Sequence, residues 1–191
     1  MWSRLSSQIT LTASRRAWYT GKGDIMITIT KDMAKFEGLR FVMKATNKNQ
    51  MRPVYAKVNF KEWGAEATDG YRLHRAEFVH NYELGTYEVI KNTKALIILN
   101  PNDDNIYPDT SKIWPADKER FALPEIKDQP KNFAALATII RNLPDDAAIN
   151  SDYLFDILNA DTWTCTYPEI KENPMLFKNG TKSALLMLTK I

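Results

Sequence analysis

The chain has one cysteine, Cys165, in 191 residues. That count excludes an internal disulfide and a thiolate zinc site. Histidine is nearly as scarce. His74 and His80 are the only two, with no carboxylate or thiol partner at ligand spacing, so both read as satisfied or exposed side chains rather than metal ligands or general bases. The seven glycines form no P-loop, no Gly-x-Gly-x-x-Gly turn and no Gly-x-Ser-x-Gly elbow, and His-Glu-x-x-His is missing as well. No enzymatic constellation remains, and no cofactor or metal is expected. No apolar run approaches the ~20 residues that span a bilayer. With a lone thiol and no membrane segment, a cytoplasmic location is expected.

What is present is ordinary globular material: 44% hydrophobic, 26% charged and 11% aromatic residues. A chain of this size can bury roughly two thirds of its unfolded surface, so it needs no covalent staple. Charge is unevenly placed. The whole chain carries 26 bases and 23 acids, net +3. Residues 1–25 hold Arg4, Arg15, Arg16 and Lys22 against Asp24 alone, so the remainder has 22 of each sign. The core is not globally basic, and any nucleic-acid contact must come from local patches. The Arg- and Ser-rich residues 1–25 allow a targeting reading. Gly21 to Met26, however, can be encoded by a purine-rich stretch just before a start codon. Residues 1–25 are therefore read as a disordered or wrongly assigned extension, and 26–191 as the structured domain.

Along that domain, residues 31–48 read as a helix, with Phe36, Leu39, Val42 and Met43 in one arc. Arg40, Lys44 and Lys48 form a basic stripe beside it, and Gly38 is a blemish in the pattern. Residues 54–78 alternate between apolar and polar and are punctuated by Trp63-Gly64 and Asp69-Gly70, which predicts a strand meander. Tyr87 to Leu99 predicts a hairpin, or a strand with a short break at Lys91-Asn92-Thr93. Residues 100–130 are loop-rich. Helices are predicted over 131–142 and 152–160, the second capped by Asn150 or Ser151. Strands are predicted over 162–170 and 183–191 around a Lys178-Asn179-Gly180 turn. The class is α+β with antiparallel neighbours.

Three segments carry a family resemblance. Arg52-Pro53-Val54 followed by Ala67-Thr68-Asp69-Gly70-Tyr71-Arg72-Leu73 resembles the bacterial DNA polymerase III beta subunit, the sliding clamp, whose corresponding string is Ala-Thr-Asp-Gly-His-Arg-Leu. Here Tyr71 stands in place of the usual His. Tyr107 to Pro115 is similar to the clamp's Phe-Pro-Asp-Tyr-Arg-Arg-Val-Leu-Pro connection. Ala184 to Ile191 is similar to its terminal strand, with Leu188 where the family has Pro. The chain is shorter than a clamp protomer, so it is read as one compact member, possible for a bacteriophage type.

The resemblance implies a DNA-clamp-like domain, an antiparallel sheet with helices packed on one face. It implies a non-enzymatic processivity or tethering role in DNA replication. Short linear peptides of a DNA polymerase or other replication proteins would bind a pocket of Thr68, Gly70, Tyr71, Arg72, Leu73, Pro108, Ile113, Leu185 and Met187. Arg40, Lys44 and Lys48 would face double-stranded DNA without reading its sequence, and single domains would close a ring as a homo-oligomer. A second reading keeps the peptide pocket on a monomer that never encircles DNA and competes for host replication factors. The neutral core charge and the acidic Asp152, Asp156 and Asp161 favour it. N-terminal sequencing of the natively expressed protein is expected to read from Met26; a mature chain starting at Met1 would rule out the internal start.

Overall fold

A computed structural model describes residues 26–47, 52–102, 106–114, 121–122, 131–158, 163–167 and 173–190. Among them ten strands form one sheet, and every pairing in it is antiparallel. The strands are β1 (Ile27–Thr30), β2 (Lys57–Lys61), β3 (Gly64–Thr68), β4 (Arg72–Glu77), β5 (Gly85–Asn92), β6 (Leu96–Pro101), β7 (Phe121–Ala122), β9 (Thr164–Thr166), β10 (Met175–Asn179) and β11 (Lys182–Leu186). A separate ribbon pairs β8 (Ala147–Ala148) with β12 (Thr189–Lys190). The order across the sheet is β1-β6-β5-β2-β3-β4-β11-β10-β9-β7. The early strands thus form one half, the late strands the other, and the β4–β11 pair joins them.

Three helices, α1 (Phe36–Met43), α2 (Lys131–Arg141) and α3 (Ser151–Leu158), cover one face. Strand alternation gives that face its rows. Ala67, His74, Ala184, Phe177 and Cys165 lie opposite one another across β3, β4, β11, β10 and β9, and all five are fully buried. Each large apolar side chain in such a row stabilises the fold by roughly 1.5–3 kcal/mol relative to exposure. Phe36, Leu39 and Val42 of α1 close the early half of the core over Val58, Phe60, Ile97 and Leu99. Ile139 of α2, with Leu154, Ile157 and Leu158 of α3, closes the late half over Phe177, Ala184 and Leu186. The fold is the α+β arrangement expected, with helices on one face of an antiparallel sheet.

The differences from expectation have local causes. The first helix spans only Phe36–Met43, because tight turns (Met33 N–H to the Thr30 carbonyl, Phe36 N–H to the Met33 carbonyl) bring the chain off β1. Gly38 is a fitting rather than a blemish: a Cβ there would lie 3.2 Å from Ala76 Cβ and 3.3 Å from the Phe78 ring, so its absence lets α1 sit down on β4. Residues 53–56 wind into a 3-10 turn before β2 begins. The expected strand over 162–170 is described only as β9, and β10, which was not anticipated, supplies the hairpin partner for β11. Asn150 is the cap of α3, its Oδ1 accepting the backbone N–H groups of Asp152 at 3.0 Å and Tyr153 at 3.2 Å. Residues 1–25 lie outside the described residues, as does Lys48.

Gly64 opens β3 with φ of 149°, and an added Cβ would run into the Ala76 carbonyl oxygen. Gly64→Ala is expected to destabilise the fold by about 1–3 kcal/mol from backbone strain alone, read as a lower urea midpoint at unchanged slope.

Candidate functional site

The outer face of the sheet, opposite the helices, is where the signature residues gather. Residues 68–72 form a loop that its own side chains tie shut. The Thr68 hydroxyl donates to the Arg72 carbonyl at 2.6 Å and accepts the Gly70 N–H at 3.0 Å. Asp69 Oδ1 accepts the N–H groups of Tyr71 and Arg72 at 3.0 and 3.1 Å. Gly70 has φ of 93°, and Tyr55 packs against it so closely that a Cβ would sit 3.2 Å from the phenol oxygen. Thr, Asp and Gly at these positions are therefore what this turn requires.

Arg72 then links the loop to the helix layer. Its Nε lies 3.0 Å from Asp69 Oδ2, its Nη1 lies 2.6 Å from Asp156 Oδ2 on α3, and the guanidinium stacks over Tyr153 at 4.2 Å. Arg72 and Asp69 are both buried, so removing Arg72 would leave the Asp69 carboxylate without its counter-charge, at a cost of about 3–5 kcal/mol. On the other side of the loop, the Tyr71 carbonyl accepts the Met187 N–H at 2.9 Å, which fastens the chain end to the signature turn.

These elements enclose a cleft of about 390 Å³. Thr68, Gly70, Tyr71, Arg72, Leu73, Ile113, Leu185 and Met187 of the expected set line it together. Pro108 does not line it: it lies upstream in the 106–114 segment, which enters the cleft only at its 3-10 turn, Ser111–Ile113. Sequence reasoning missed Lys112, Asn173 and Pro174 in the lining. Pro174 followed by the apolar Met175-Leu176-Phe177 and the Asn179-Gly180 turn was the available signal for β10 and its entry. The floor is a cross-strand apolar row, Leu73–Leu185–Leu176, with Trp114 packed against it. Lys112 puts positive charge at its edge, whereas the Arg72 guanidinium is taken up by Asp69 and Asp156. The arrangement can accept a pair of apolar side chains and offers one cation to a flanking acceptor.

The same strap, 106–114, covers a buried ionic cluster missed from sequence. Glu66 is fully buried, and its carboxylate accepts from the Thr110 hydroxyl at 2.7 Å, Arg75 Nε at 2.8 Å and Asn59 Nδ2 at 3.2 Å.

The helix-side residues expected to face DNA are placed differently from one another. Arg40 is half-exposed and stands 3.8 Å from Glu37. Lys44, just past the end of α1, donates from Nζ to the Asp156 carbonyl at 2.8 Å, and burial pulls its ammonium below the ordinary lysine value. Its charge ties α1 to α3.

His74 is buried beneath this layer. Its Nδ1 lies 2.9 Å from the Phe41 carbonyl oxygen, which can only accept, so Nδ1 carries the proton and the ring is neutral. Nε2 is buried without a partner, and the ring stacks on Phe41 at 4.4 Å. Burial holds its pKa down to about 3. His80 is satisfied at both nitrogens, by the Lys61 carbonyl at 2.7 Å and the Tyr82 N–H at 3.2 Å.

No family model matches this sequence, and no curated protein matches it. Solved structures do. The fold is shared with bacterial sliding clamps. The DNA polymerase III beta subunit from Pseudomonas aeruginosa matches with a TM-score of 0.57 at 11% identity, over 92% of this chain and 69% of that one. The Thermotoga maritima beta subunit matches with a TM-score of 0.60 at 11% identity, over 94% and 69%. The Helicobacter pylori beta clamp bound to a DNA ligase peptide matches with a TM-score of 0.57 at 13% identity, over 93% and 69%. At such identities the likeness is one of fold.

The buried His74 sets a pH dependence. An unfolded histidine takes a proton near pH 6.5, whereas the folded ring resists until about 3. Its contribution is present in full above 6.5 and is lost as pH falls toward 3, with a slope of up to about 1.4 kcal/mol per pH unit. Denaturant melts at stepped pH are expected to show this decline, and His74→Asn to flatten it.

Proposed function

We propose that this protein is a non-enzymatic, clamp-fold tether that holds short linear peptides of replication proteins in the cleft between the 68–73 loop, Ile113 and Leu185–Met187. One observation carries the reading: eight residues from three distant parts of the sequence line the same cleft. The cleft suits such a ligand. An extended peptide can bury two apolar side chains on Leu73, Leu185 and Ile113, each contributing roughly 1.5–3 kcal/mol. Met187 supplies an adaptable wall. Lys112 can meet a carbonyl or an acid of the same peptide.

Two versions share that cleft. In one, copies of the chain close a ring on double-stranded DNA, with Arg40, Lys44 and Lys48 toward the backbone. In the other, the chain is a monomeric peptide-binding module that competes for replication factors. The helix layer favours the second: Asp156 engages both Lys44 and Arg72, and Asp152 is exposed on α3. Light scattering that finds only monomer, with no retention on closed circular DNA, would select the module. A discrete multimer released from circular DNA on linearisation would select the ring.

The peptide role has its own test. The DNA ligase peptide seen on the Helicobacter pylori clamp serves as probe. Tyr71, Ile113 and Met187 are 60%, 49% and 38% exposed, so Met187→Arg and Ile113→Asp should leave the fold intact. Each is expected to weaken the peptide by about tenfold or more, as loss of a buried apolar contact does, with an unchanged thermal melt. No binding by the unsubstituted chain, or equal binding by both variants, would overturn the reading.

A further inference from the structure

A second cavity, of about 350 Å³, lies on the same outer face and is lined by Trp63, Arg75, Glu77, Trp114, Leu176, Lys178 and Ser183. Its position follows from strand register. The cleft floor is the row Leu73–Leu185–Leu176, and two residues along the same strands comes the row Arg75–Ser183–Lys178. Two residues of strand are about 7 Å. The two rows are therefore neighbours, one apolar and one polar. Ile113 lines the first cavity and Trp114 the second, so the end of the strap divides them.

The chemistry of the second cavity is rich in donors. Arg75 is sandwiched between indoles, its guanidinium 3.9 Å from Trp114 and 5.1 Å from Trp63. Glu66 fixes its Nε and Thr110 its Nη2, at 2.8 and 3.0 Å, so the guanidinium is held in one pose. The Nε1 of Trp114 is buried and has no acceptor. Lys178 makes no ion pair among the described residues. The Glu66 carboxylate is already saturated by its own donors. The remaining acid, Glu77, is exposed at the end of β4, where solvent and salt screen it. Leu176 and the indole faces supply an apolar bed.

We propose that this cavity is a second peptide subsite that takes a carboxylate-bearing residue of an extended ligand, received by Lys178, the open edge of Arg75 and the Trp114 indole N–H. The proposal rests on the peptide-tether reading for the ligand's identity, since a chain lying across the cleft reaches the polar row within about two residues of extended backbone. An orphaned, buried indole N–H beside an unpaired ammonium asks for an acceptor, and a carboxylate satisfies both at once. The aromatic walls exclude water from that contact and strengthen it.

Two measurements test it. In the first, the DNA ligase peptide is extended at either end by a short spacer and paired glutamates, with glutamine and lysine versions as controls. The acidic extension is expected to tighten binding by about tenfold at one end only, as a charge-assisted contact does. Lys178→Glu should abolish that gain and leave the unextended peptide unchanged. In the second, acetylated diglutamate amide is titrated alone while the indole N–H resonances of Trp63 and Trp114, assigned with Trp63→Phe and Trp114→Phe, are followed. Both should move, Lys178→Glu should silence them, and Met187→Arg should not.

Equal gains from glutamine or lysine, or indole shifts that survive Lys178→Glu, would overturn the subsite. So would indoles that stay still at high diglutamate concentration. A ligase peptide that never binds, beside indoles that respond to diglutamate, would sink the cleft reading and leave the carboxylate-binding pocket standing. The reverse pattern would sink the pocket alone.

Discussion

The pairing of β4 with β11 is the interaction on which the rest of the molecule depends. Five register pairs, from Ala76–Lys182 to Arg72–Leu186, join an early meander to a late hairpin and make them one sheet. On the helix side that seam sets His74 beside Ala184 and gives α1 and α3 adjoining ground. On the outer side it sets Leu73 beside Leu185 and Arg75 beside Ser183. The core, the apolar cleft and the donor-rich cavity are three consequences of one alignment. A slip of one residue would turn every one of these side chains to the wrong face.

Three cations are engaged inside the structure. Arg72 is divided between Asp69 and Asp156, Arg75 is held by Glu66, and Lys44 reaches the backbone of α3. These contacts fasten elements that hydrophobic burial alone would leave free to slide: the signature loop to α3, the strap to β3 and β4, and α1 to α3. Lys44 and Arg72 are thereby drawn away from the helix surface, whereas Arg75 lies on the opposite face. Surface electrostatics here cannot be read from residue counts, because the partners come from remote parts of the chain.

Much of the architecture was legible in the sequence. The alternation over 54–78 and the apolar run over 87–99 marked the meander and hairpin, and the period of 131–142 and 152–160 marked two helices, found as Lys131–Arg141 and Ser151–Leu158. The 67–73 string pointed to its cleft because Thr68, Asp69 and Gly70 make a turn that few other residues can make. The illegible parts share one cause. Gly38, Glu66 and Lys44 each owe their role to a neighbour distant in sequence: Ala76 beneath the helix, Thr110 and Arg75 around the carboxylate, Asp156 across the helix layer. Pro108 sat in the right segment but on the wrong part of it, because the strap turns into the cleft only at Ser111–Ile113. β10 was missed because its apolar triplet is too short to show a period.

The seam between β4 and β11 also bears on how the chain reaches this shape. The strands from β2 to β6 are joined by short connections, with β5 returning to pair with β2, and can form on local information. Their join to β11 must wait until the whole middle of the chain has been gathered in, and the entropy of closing that loop is met before any seam contact repays it. Until then β4 has an open edge bearing Leu73 and Ala76. The buried, unionised His74 lies along that same edge, where an unfinished seam would leave it wet and free to take a proton. Acid would therefore act first on molecules caught between their two halves, so the seam that aligns the outer-face rows is also where an unfinished chain is most open to protonation.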